Sequence, residues 1–125
     1  MTNLPLYILM VLGVKKILEK SPNVDQTLKF KNGKFTILQL TDFHYGESEE
    51  KDKNNDKIHR KLLDYINPDL VVNTGDLISG YAWDKKEKDF YYKNWKRYTD
   101  LYQEKKLLYA YALGNHDHQG DYNYQ

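Results

Sequence analysis

The sequence has 125 residues, 40% of them hydrophobic, which is enough for one domain with a modest core. Its formal net charge of +1 gives no global field of the kind that draws proteins to nucleic acid or anionic membranes. Cysteine is absent, so disulfides and thiolate metal sites are excluded. A metal would be held by oxygen and imidazole nitrogen, donors that suit manganese, iron, zinc or magnesium.

The chain opens with an apolar run, residues 4–14, followed by Lys15 and Lys16. The run is too short to cross a bilayer as a helix. Two readings stay open. As the centre of a secretory signal it would imply membrane contact of residues 4–14 and a secretory or vacuolar location. As a short element packed on the domain it would fit a cytoplasmic protein. Ser21-Pro22-Asn23 breaks the run, so residues 1–26 are read as an apolar leader or peripheral segment and 27–125 as the domain.

Lys31-Asn32-Gly33-Lys34 lies between two alternating segments and predicts a β-hairpin, because Asn-Gly accepts positive φ at both turn positions. The first central strand, Phe35-Thr36-Ile37-Leu38-Gln39-Leu40-Thr41, runs into Asp42-Phe43-His44. Residues 47–56 are densely charged and are read as a solvated loop. A helix follows, with Ile58, Leu62 and Ile66 predicted to face inward and Lys57, Arg60 and Lys61 to face water. Asn67-Pro68-Asp69 stops it. The second strand, Leu70-Val71-Val72-Asn73-Thr74, runs into Gly75-Asp76.

A second helix is predicted over residues 86–106, where Tyr91, Trp95, Tyr98 and Tyr102 form one aromatic stripe. Lys93, Lys96 and Arg97 between them would also fit base stacking, but a helix covering a sheet needs such a stripe anyway. No nucleic-acid partner is expected. The third strand, Leu107-Leu108-Tyr109-Ala110-Tyr111-Ala112-Leu113, delivers Gly114-Asn115-His116-Asp117.

Strands alternating with helices argue an α/β fold: a partial α/β sandwich, βαβαβ, preceded by the hairpin, with ligand loops at the strand C-termini. Asp42 and His44 are one residue apart, so on an extended segment both point to the same side and can chelate one ion. Asp76 follows a glycine that leaves room for close approach, and its two oxygens can bridge two cations. Asn115 offers an amide oxygen to a second ion, beside His116. Singly these motifs are weak; each at a strand end, in this order, they are strong.

The motifs Leu-Gln-Leu-Thr-Asp-Phe-His-Tyr-Gly, Pro-Asp-Leu-Val-Val-Asn-Thr-Gly-Asp and Tyr-Ala-Leu-Gly-Asn-His-Asp carry a resemblance. Over residues 35 to 120 the chain resembles the N-terminal half of a calcineurin-like metallophosphoesterase. It is most similar to the plant and fungal proteins named probable inactive purple acid phosphatases and their yeast phosphatase relatives. The resemblance implies phosphate-ester hydrolysis by a metal-activated hydroxide. Asp42 and His44 would hold a first divalent or trivalent ion, Asp76 would bridge, and Asn115 would hold a second. His116 would be the general acid or phosphate-stabilising imidazole.

The chain departs from that pattern at several places. Purple acid phosphatases have Asp-x-Gly where His44 stands and a tyrosine where Ser79 stands, so a coloured iron centre is not expected. Ser/Thr phosphatases place an aspartate at the latter position to orient the catalytic histidine, a task that falls here to Asp117. His59 is expected on the surface of the first helix and His118 in a loop. The family takes further histidines, including Gly-His-x-His, from a C-terminal half, and residues 1–125 hold no such element. The expectation is therefore one weakly bound ion and a protein partner covering the open half. The competing reading is a non-catalytic structural or interaction protein derived from a phosphoesterase.

Overall fold

A computed structural model describes residues 28–121. The apolar run at 4–14, and with it the leader reading, lies outside the described residues. The chain divides into two units, residues 1–35 and 36–125. In the first unit the Asn-Gly turn forms, with φ of 51° at Asn32 and 74° at Gly33. The expected hairpin is confined to this turn: one antiparallel bridge joins Lys31 and Lys34 through bonds of 2.9 and 3.0 Å.

The second unit carries the predicted alternation: β1 (Ile37–Leu40), α1 (Glu49–Ile66), β2 (Leu70–Asn73), α2 (Phe90–Lys105) and β3 (Leu108–Tyr111). The strands form a parallel sheet in the order β1-β2-β3, with Ile37, Leu70 and Leu108 in one row and Leu40, Asn73 and Tyr111 in another. Both crossovers step the same way across the sheet, which puts both helices in one layer. Contacts between the helices tie that layer together, among them His59 to Tyr102, Arg60 to Glu104, Arg97 to Asp56 and Lys105 to Asp64.

The aromatic stripe of α2 is core. Tyr91, Trp95, Tyr98 and Tyr102 are all buried. Trp95 meets Tyr111 edge-on at 4.7 Å, Tyr102 stacks on Tyr109 at 4.9 Å, and Tyr98 receives a hydrogen bond from Asn73 of β2. Aromatic pairs at these separations are favourable beyond the area they bury. The helix starts four residues later than its spacing predicts, because Asp84 accepts the N–H groups of Lys86 and Glu87 in a turn and Asp89 is left-handed. Asp121 then accepts the Tyr91 N–H at 2.8 Å, so the site loop after β3 caps α2.

Helix α1 corrects two expectations. It begins at Glu49, inside the charged run read as a loop. Ser48 caps it by accepting the Lys51 N–H, and Glu49, Glu50 and Asp52 place negative charge at the positive end of the helix dipole. Its buried face is Asp52, His59 and Leu63, whereas Ile58 is 56% exposed and Leu62 and Ile66 are half-buried. Directed bonds set that rotation. Asp52 accepts the Gly46 N–H with both oxygens, Asn55 donates to the Phe43 carbonyl at 2.6 Å, and His59 meets the Tyr102 hydroxyl at 2.7 Å.

His59 is therefore core and not surface. Its ring stacks on Tyr98 at 4.9 Å and tilts against Phe43 at 5.0 Å. Burial pushes its pKa down from 6.5 to about 4; the nearby Asp56 opposes the drop and Arg60 adds to it. Above pH 6.5 the ring is neutral in the folded and unfolded chain alike. Between 6.5 and 4 the unfolded chain binds a proton that the folded one resists, so stability falls as pH falls. The loss across that window should be about 3 kcal/mol. Urea unfolding of the wild type and His59→Gln across the window should show a difference of this size in pH dependence. Parallel profiles would contradict it.

Candidate metal centre

Past the ends of β1 and β2 the two segments stay paired. Asp42 N–H donates to Gly75 O at 3.0 Å, His44 N–H to Asp76 O at 3.1 Å, and Tyr45 N–H to Leu77 O at 2.8 Å. Within this extension Asp42, His44 and Asp76 are all left-handed, with φ of 57°, 54° and 51°. Asp42 and His44 thus converge through two left-handed residues and not through the alternation of an extended strand. Aspartate and histidine tolerate that region better than most side chains, at a cost of about 1–3 kcal/mol each.

The outcome is a cluster of donors. One ligand atom each from Asp42, His44 and Asp76 lies within 4.8 Å of the others. His44 Nε2 is 3.5 Å from Asp42 Oδ1, and Thr41 Oγ1 donates to the other Asp42 oxygen at 2.6 Å. Two carboxylates and an imidazole form an oxygen–nitrogen set that fits a first-row divalent cation. Asp76 Oδ1 also accepts the His116 N–H at 2.8 Å, which joins the third loop to the cluster. The His116 ring lies 5.5 Å from the His44 ring and edge-on to Tyr81 at 4.9 Å. Its Nδ1 is 2.8 Å from Gln119 Oε1, and since a carbonyl oxygen only accepts, that contact calls for a proton on Nδ1. Asn115 is exposed on the same loop, and so is His118.

Asp117 does not orient His116. It is fully buried, and its oxygens accept N–H groups from Asp76 at 2.9 Å, Ile78 at 2.9 Å and Gly114 at 2.7 Å. Adjacent side chains on this turn point apart, one to the backbone of two loops and one to the opening. Ser79, Glu47, Tyr81 and Gln119 also line the site. Of these only Ser79 stood out in the sequence, through its spacing from Asp76.

A family model described as Calcineurin-like phosphoesterase matches residues 35–125. The chain belongs to the calcineurin-like phosphoesterase family. A relative, the probable inactive purple acid phosphatase 28 of Arabidopsis thaliana, is 30% identical over 121 residues, covering 85% of this chain. The chain spans 29% of that relative's length. The family is metal-dependent, and the donors of Asp42, His44 and Asp76 fit that requirement.

Glycine is required where the second and third loops touch. A Cβ on Gly114 would fall 2.2 Å from Asp76 Oδ1 and 2.4 Å from Asp76 N, and the backbone nitrogen cannot swing aside as the side chain can. Gly114→Ala should displace Asp76, cost about 1–3 kcal/mol by overpacking, and abolish cation binding. Denaturant midpoints and Mn²⁺ titration by calorimetry check this. Unchanged Mn²⁺ affinity would place Asp76 outside the site.

Proposed function

We propose that this domain is a metal-dependent phosphoesterase acting on phosphate esters, with Asp42, His44 and Asp76 as the ligands of one divalent cation. The convergence of those three donors from two strand ends carries the reading. Asn115, exposed on the loop after β3, would offer its amide oxygen if a further ion bound beside Asp76. When bound, the ions supply Lewis acidity, which makes water nucleophilic and neutralises phosphoryl oxygens.

The chain's own residues do the rest. Asp76 and Asp42 set the negative charge that attracts the cation. His116, with its Nδ1–H fixed by Gln119, keeps Nε2 available to take up a proton and deliver it to the leaving alkoxide. Asp117 is a positioning residue that holds the Asp76 and Gly114 backbones in place.

A second reading is a non-catalytic phosphoesterase-derived binding protein, favoured by one contact. Among the described residues a second ion would find Asp76 and Asn115, and one Asp76 oxygen is already engaged by the His116 N–H. That is thin for a cation that gives up hydration reluctantly. The relative's printed name, inactive, agrees with this reading for that protein.

Calorimetric titration with Mn²⁺ and Zn²⁺, alongside turnover of p-nitrophenyl phosphate, separates the two. The expected result is one weak ion and slow, metal-dependent turnover, both lost in Asp76→Asn, with His116→Ala losing turnover alone. Binding without any turnover would favour the non-catalytic reading. No binding at all would overturn the proposed metal site.

A further inference from the structure

Ser79 is fully buried beneath the candidate centre, and its hydroxyl stands between two groups. On one side Glu47 Oε1 accepts from Ser79 Oγ at 3.4 Å; on the other, His44 Nδ1 lies 3.1 Å away. A serine hydroxyl has one proton and two lone pairs, and an ionised carboxylate can only accept. Glu47 is held in the ionised form by the Lys51 ammonium and the Tyr81 hydroxyl, which bring its pKa down to about 2.

Proton counting then fixes the rest. With the Ser79 proton directed to Glu47, Ser79 Oγ can only accept from His44, an arrangement that puts the His44 proton on Nδ1. The lone pair is left on Nε2, the nitrogen 3.5 Å from Asp42 Oδ1. We propose that Glu47 and Ser79 form a relay that sets the His44 tautomer and aims Nε2 at the cation position, with both acting as positioning residues. Histidine ligands in general depend on a partner at the other ring nitrogen for tautomer and orientation. Here the partner is a hydroxyl whose polarity is set by a carboxylate from the loop before α1.

The proposal rests on reading His44 as a cation ligand, and its test separates the two. The full metal-free chain, labelled with ¹⁵N, is studied at about pH 8.5, above the ordinary imidazole range. Long-range proton–nitrogen spectra report which ring nitrogen of His44 is protonated. The wild type should show the proton on Nδ1. Ser79→Ala and Glu47→Ala should both move the population toward Nε2–H and weaken Zn²⁺ binding in calorimetry about 10- to 100-fold. Should Ser79→Ala fail to fold, Glu47→Ala carries the test alone, since Glu47 is only half-buried. A wild-type proton on Nε2, or a tautomer that Glu47→Ala leaves unmoved, overturns the relay. A wild type with Nδ1–H that binds no Zn²⁺ supports the relay and overturns the metal reading.

Discussion

The strand-end face of this domain depends on one buried carboxylate. Asp117 accepts backbone N–H groups from Asp76, Ile78 and Gly114, and so stitches the loop after β2 to the loop after β3. The Ile78 amide would otherwise be a buried donor needing a partner, and those of Asp76 and Gly114 are half-buried. With the stitch in place Gly114 can lie against Asp76, and Asp76 can accept the His116 N–H. The β1 loop joins through main-chain bonds from Asp42 and His44 to Gly75 and Asp76. Three loops that share no sequence neighbourhood are thereby held to one geometry.

That geometry is strained in a particular way. Three side chains of the candidate site, Asp42, His44 and Asp76, occupy left-handed backbone that costs free energy at each position. The strain is offset by the ladder continuing beneath them to the buried pair Tyr45 and Ile78. Helix α1 supports the same loop through Asp52 on Gly46, Asn55 on Phe43, and Asp56 on the Tyr45 hydroxyl. The charged face of α1 therefore serves the site, and its contribution to the apolar core is small.

Much of this was legible in the sequence. Apolar runs broken by Asp-x-His, Gly-Asp and Gly-Asn-His-Asp marked the ends of all three strands, and the stripe Tyr91, Trp95, Tyr98 and Tyr102 identified the face α2 buries. The rotation of α1 was not legible, because Ile58, Leu62 and Ile66 make the better apolar pattern while polar bonds from Asp52, Asn55 and His59 decide the face. His59 was misplaced for the same reason: a buried histidine bonded to Tyr102 leaves no periodic trace. The acidic turn after Ser48 was a readable helix start hidden inside a charge run. Asp117 looked catalytic by adjacency to His116, and only the fold reveals that its oxygens are taken by the backbone.

The proposed cation site draws its donors from the ends of β1 and β2, with the loop after β3 docked against them. Substoichiometric Mn²⁺ added to the ¹⁵N-labelled chain tests it most directly, since paramagnetic broadening marks the amides nearest the ion. The account predicts that the signals of Asp42, His44, Asp76 and His116 broaden first and together. Broadening centred on the acidic face of α1, at Glu49, Asp52 and Asp56, with the strand-end signals left sharp, would contradict it.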